Sequence, residues 1–247
     1  MRRFIGCLIV GASIVVGLGG DAPQSSAEAS ASRRADQAAL KEYGSLVGTW
    51  KGTGQPKRGQ SKGAWTEGAT WAWKLAPDAA ALAVEFEKGK YLRSAVLRPG
   101  KGPGSFRLDA TLADGSAREF TGQGEAGKPL ILRAEQARGG LARIILTIPN
   151  ESRFLLLLDE ANPGASTAIA LARLGEVGYT RQGVAFAAGG ASGPECIVTG
   201  GRGTIKVSHQ GKEYWVCCSG CRDLFNAEPA AILAESAAKS KAAASGK

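Results

Sequence analysis

Four of the five cysteines carry the chemistry available to this chain, Cys196, Cys217, Cys218 and Cys221, all inside a 26-residue span, while Cys7 lies in the N-terminal apolar run. Twenty residues separate Cys196 from Cys217, and three separate Cys217 from Cys221. A thiolate is both a nucleophile and a metal ligand, so three chemistries are open. Three or four thiolates with no imidazole beside them select soft or borderline ions. Zn²⁺ is the ion expected, with Cu(I) or another thiophilic metal as alternatives. Four cysteines also allow three disulfide pairings, and an exported chain meets an oxidising compartment. Cys218-Ser219-Gly220-Cys221 is in addition a C-x-x-C of the redox type, although the surrounding segment is too short for a thioredoxin fold and lacks its βαβ setting. The other residue counts close doors. His209 is the single histidine and Met1 the single methionine. Zinc hydrolases with several histidines, HExxH proteases and His/Met copper sites lack their ligands, and no catalytic residue set is assigned.

The segments around the thiols determine whether they can meet. Gly200-Gly201-Arg202-Gly203 reads as a turn, and Thr204–Ser208 and Glu213–Val216 as two strands joined by a hairpin at His209-Gln210-Gly211-Lys212. A helix is expected from about Gly220 to Asn226, and Pro229 suits the first position of another over 229–237. Antiparallel pairing of the two strands brings the turn before the first close to the helix start after the second. Tetrahedral thiolate sites are commonly built so, and the helix dipole with Arg222 would offset their charge. His209 is expected to be exposed at the hairpin tip. Tyr214 and Trp215 are expected on opposite faces of their strand, one in the core and one at the surface.

Glu195-Cys196-Ile197-Val198-Thr199-Gly200, followed by Gly211 to Pro229 with its Cys-x3-Cys, Phe225 and Pro229, resembles the YHS/TRASH domains over about 194–235. The resemblance implies that Cys196, Cys217 and Cys221 are metal-binding thiols and that the function lies in metal handling. Many members carry a second cysteine soon after the first, where Thr199 stands here. Cys218 is an additional thiol, either completing a four-thiolate shell or lying outside a three-thiolate one.

Residues 32–185 have a different character. Ser32 to Leu46 permit a helix, and Gly48-Thr49-Trp50 then opens a run of short strand candidates. Leu82, Val84 and Phe86 alternate with Ala83, Glu85 and Glu87, as Phe106, Leu108, Ala110 and Leu112 alternate with polar neighbours, which marks half-buried strands. Further candidates are 47–55, 64–75, 91–97, 117–122, 129–135, 141–148, 153–159, 166–173 and a piece near Tyr179. The 35 glycines, near 14% of 247 residues, are roughly twice the usual share of about 7% and fit a chain of many turns. The fold class expected is mainly β: an antiparallel up-and-down barrel followed by a small ββα cysteine-rich domain.

The helix leading into Leu46-Val47-Gly48-Thr49-Trp50 and the strands after it resemble the calycin-type barrels, lipocalins and nitrobindin-like proteins among them. The resemblance implies a small apolar ligand inside the barrel, and in nitrobindin-like members a histidine-bound haem. Residues 40–185 contain no His, Cys or Met, which leaves Tyr43, Tyr91 or Tyr179 as haem ligands and nothing local in favour of any. Trp50, Trp65, Trp71 and Trp73 are expected mainly as core.

The ends of the chain read as address and tail. Arg2 and Arg3, the apolar run from Phe4 to about Leu18 and the small residues before Glu28 describe a signal peptide over 1–27, and hence a periplasmic or extracellular protein. The run is shorter than the ~20 residues of a membrane span, an uncleaved anchor being the alternative. Removal of Arg2, Arg3 and Asp21 takes the net charge from +9 to +9 − 2 + 1 = +8. That charge favours association with envelope polyanions, and the lack of a basic stripe interleaved with aromatics argues against nucleic acid. Residues 186–193 read as a Gly/Ala/Ser linker, 194–237 as the cysteine domain and 238–247 as a disordered basic tail.

Overall fold

The computed structural model describes residues 26–135, 139–161, 171–182 and 194–245. Most of the expected signal peptide and the whole linker over 186–193 lie outside them. Helix α1 (Ser26–Ala39) and a 3₁₀ turn over Lys41–Leu46 lead into the first strand, as the sequence suggests. The strands that follow are β1 (Gly48–Gln55), β2 (Trp65–Leu75), β3 (Ala80–Glu87), β4 (Leu92–Pro99) and β5 (Ser105–Leu112). Then come β6 (Ala117–Gln123), β7 (Leu130–Arg133), β8 (Leu141–Asn150), β9 (Arg153–Ala161) and β10 (Leu171–Arg181). Among the described residues these ten strands close into one barrel, each antiparallel to its sequence neighbours, with β10 returning to pair with β1. Closure leaves no sheet edge to protect. The strand expected at 166–173 is described from Leu171 onward, and from there it runs on past Tyr179 as one strand, β10. A bulge between Arg173 and Gly175 resets its register against β9, and this break in alternation is what made the sequence look divided.

The alternating residues do face inward: Leu82, Val84 and Phe86 on β3, and Phe106, Leu108, Ala110 and Leu112 on β5, are buried. The apolar void between Trp71, Phe86, Leu108 and Leu146 is about 20 Å³. That is room for about one water. Trp50, Trp71 and Trp73 are core as expected, and Trp65 is half-buried. The three tyrosines have structural partners. Tyr179 stacks on Phe154 at 4.2 Å and donates its hydroxyl to Glu67, Tyr43 meets Phe106 edge-on, and the Tyr91 hydroxyl donates to the Leu174 carbonyl.

The seam between β1 and β10 is fastened by a pair only half visible in the sequence. Trp50 is fully buried, donates its indole N–H to the Leu46 carbonyl at 2.7 Å and packs edge-on to Phe154. The Arg181 guanidinium lies over the Trp50 ring at 4.1 Å and donates to the carbonyls of Ser45, Val47 and Glu151. Gly48 leaves room for it: with φ at 132°, a Cβ there would lie 2.6 Å from that guanidinium. On the outer face Asp159, 2% exposed, is held between Arg143 and Arg173 on the two flanking strands, which pins the register of β8, β9 and β10.

Beyond the barrel lie a hairpin of β11 (Ile205–His209) and β12 (Lys212–Val216), then α2 (Ser219–Ala227) and α3 (Pro229–Ser245). Gln210 and Gly211 turn the hairpin with φ of 49° and 76°, the left-handed pair a tight two-residue connection requires. Helix α3 starts at Pro229 as expected but runs through the predicted disordered tail to Ser245. The tail is alanine-rich, and alanine has the highest helix propensity, which outweighs its low complexity.

Candidate metal centre

The cysteine segment is built against the end of the barrel where β1 begins and β2 and β10 finish. The last residue of β2 paired with β1 is Trp71, so β2 extends four residues further, to Leu75, with one backbone edge unpaired at Trp73. The Trp73 N–H donates there to the Cys218 sulfur at 3.3 Å. Gly220 packs so closely on the Trp73 carbonyl that a Cβ would lie 1.8 Å from the oxygen. A buried backbone donor left without a partner costs about 1–3 kcal/mol, so the sulfur acceptor stabilises the strand end.

Each thiol is placed by a different piece of local structure. Cys196 sits in a tight loop, its N–H donating to the Gly201 carbonyl at 2.7 Å while its own carbonyl accepts from Gly200. Gly200 takes φ 75° to make that turn. The Ile197 N–H donates to the Trp215 carbonyl, which ties the loop to β12. Cys217 follows β12 directly, and its carbonyl accepts the Thr204 hydroxyl. Cys218, in extended conformation, caps α2, and Cys221 lies in the first turn of that helix. The loop before one strand and the helix start after the next thus converge, as their spacing implied.

All four thiols are buried, Cys221 completely, and none is bridged. The sulfurs of Cys196, Cys217 and Cys221 lie within 4.8 Å of one another. Cys217 is 3.5 Å from Cys221 and 3.9 Å from Cys218, far beyond the ~2.05 Å of an S–S bond. Cys218 lies outside the three-sulfur set, and its sulfur accepts the Trp73 N–H. Thr199 brings its hydroxyl to 3.5 Å from the Cys217 sulfur.

The cluster titrates as a unit. Hydrogen bonds from Cys217, then Cys221, hold Cys196 far below the ordinary thiol range, and the same two donors lower Cys218. Those bonds to Cys196 and Cys218, together with burial, keep the protons of Cys217 and Cys221 well above that range. Cys218 stands at the N-cap of α2, where the helix dipole favours negative charge on its sulfur.

Three expectations need correction. Arg222 does not face the thiols; it is exposed and ion-paired with Asp223 at 3.0 Å, a neighbour close enough to capture it. His209 is half-buried rather than exposed, because its ring meets Phe225 edge-on at 6.4 Å; it is not in the thiol set. Tyr214 and Trp215 are both half-buried instead of one in and one out. A two-stranded ribbon packed on one short helix shields both its faces in part: Tyr214 packs on Phe225, and the Lys206 amine lies 5.4 Å above the Trp215 ring. The Trp73 backbone had no signal in the sequence, since its role comes from the length by which β2 outruns β1.

No protein-family model and no curated protein matches the chain. Among solved structures, "Structure of EF1p2_mFAP2b bound to DFHBI" is 18% identical, matching 57% of this chain and 97% of that one with a TM-score of 0.25. The barrel assignment rests on the strand order and register above.

Proposed function

We propose that this is an exported, non-catalytic metal-binding protein that holds one soft or borderline ion on Cys196, Cys217 and Cys221. The observation that carries the reading is the convergence of three buried sulfurs within 4.8 Å of one another. Such a donor set suits Zn²⁺, Cu(I) or another thiophilic ion and offers nothing to hard cations. The YHS/TRASH-like motif favours metal handling, and the basic, apolar N-terminus favours export. The barrel serves as the platform on which the thiol segment is assembled, and a small apolar ligand inside it is the further reading that the calycin-type resemblance favours.

The test is to purify the reduced protein without its first 27 residues, count free thiols and measure metal by elemental analysis. About one equivalent of zinc or copper in the parent, lost in Cys221→Ser, is expected. Absence of both metal and free thiols after preparation in air would instead mean a disulfide-stapled interaction protein, and insulin reduction without metal a thiol oxidoreductase. Because metal must displace thiol protons, affinity falls as pH drops, by roughly tenfold per pH unit for each proton displaced. Competition with a chelator between pH 8 and pH 6 measures that slope; a flat profile contradicts thiolate binding.

A further inference from the structure

A cleft of about 380 Å³ lies between the barrel mouth and the cysteine segment and reaches the thiol cluster at Cys217. Its volume falls in the range of small-molecule sites. Lys41, Arg181 and Arg202 line it against one carboxylate, Glu151, a balance of 3 − 1 = +2. Arg181 is committed to Trp50 and to three carbonyls, as described above. Burial first, and then the charge of Arg202, lower its pKa, and Glu151 offsets them only in part. Lys41 and Arg202 are exposed and form no ion pair among the described residues. Gln37, also in the lining, has its amide Nε2 buried without an acceptor. Cationic donors lacking acceptors thus stand beside a thiol. Such a field repels a bare divalent cation and attracts the same ion once its ligands have made the complex anionic.

We propose that this cleft docks a small anionic thiol, bearing carboxylates beside its sulfur, that delivers a thiophilic ion to the cluster. The inference rests on the metal-binding reading above. The carboxylates of the carrier face Lys41 and Arg202, and its metal-bound sulfur faces Cys217. In the exchange the bond from metal to carrier sulfur breaks as the bond from metal to Cys217 Sγ forms. The Cys217 proton passes to the departing carrier thiolate, and no oxidation state changes.

Charge separates this from simple capture. Reduced, metal-free protein is mixed with Cd²⁺ complexed either by mercaptosuccinate, which is anionic, or by 2-mercaptoethanol, which carries no carboxylate. Transfer is followed by sulfur-to-cadmium absorbance in the parent and in the double variant Lys41→Glu, Arg202→Glu. Transfer from mercaptosuccinate is expected to slow by about tenfold or more in the variant, the scale of electrostatic steering, with transfer from 2-mercaptoethanol unchanged. Equal slowing with both carriers, or none with either, overturns the proposal. Calorimetric titration with mercaptosuccinate alone gives a second reading: the parent should bind it and the variant should not, and no binding by the parent also overturns the proposal. If the anion binds but cadmium loads from neither carrier, the metal reading itself fails and delivery falls with it.

Discussion

The barrel centres on hydrocarbon, with Leu82, Leu97, Leu130, Leu132, Phe120 and Phe154 all nearly or wholly inaccessible. The cysteine segment, about fifty residues long, centres on four thiols with only Val216, Leu224, Phe225 and a few others around them. The difference is one of self-sufficiency. A ten-strand closed sheet satisfies most of its own backbone hydrogen bonds and buries a continuous core, the Trp73 N–H near the end of β2 being one that the cysteine segment completes. A hairpin with two helices in about fifty residues is below the size at which a core alone suffices, and it needs a staple at its centre. The two regions should therefore respond differently to the same insult.

The largest expected effect belongs to the barrel. Trp50→Ala removes a fully buried indole together with the ring on which Arg181 lies, at a cost of about 3–5 kcal/mol. Urea unfolding of the metal-free protein should show that loss, and a loss below about 1 kcal/mol would mean the β1–β10 seam is not fastened there. Gly220→Ala tests the junction between the regions. Its Cβ would overlap the Trp73 carbonyl, and relieving the clash should cost about 1–3 kcal/mol of docking stability. Hydrogen exchange should then rise over 194–237 and stay unchanged in β4 to β8; a uniform rise would mean the two regions unfold as one. The smallest effect is expected at Cys218→Ser. A thiol outside the three-sulfur set should change metal affinity by at most about tenfold, or 1.4 kcal/mol. Chelator competition measures this, and a loss matching that of Cys221→Ser would place Cys218 among the ligands.

How far the sequence led differs between the two regions for a physical reason. Alternation along β3 and β5 is a period-2 pattern in single residues, and it names the inward faces directly. The thiol cluster was legible because its elements are local: a turn, a hairpin and a helix start inside one 26-residue span. What stayed hidden joins distant segments. Arg181 lies 131 positions beyond Trp50, and Cys218 lies 145 beyond Trp73, so no local period links either pair. Arg222 and His209 were misread for the opposite reason, each being claimed by a close neighbour, Asp223 or Phe225, whose geometry composition does not reveal.

Arg33 on α1 carries a consequence of its own. Only 1% exposed, it donates to Glu235 on α3 at 3.1 Å and to the Pro77 carbonyl in the β2–β3 turn. Arg34 meets the same Glu235, so the first and last helices of the described chain are clasped over the barrel end. Only eleven residues separate Gln182 from Pro194, so the cysteine segment is covalently held close to its docking surface. With both ends held this way, a contact as small as Gly220 and Cys218 on Trp73 keeps the segment seated. Detachment then becomes an intramolecular equilibrium, independent of protein concentration and open to bias by whatever the thiols hold.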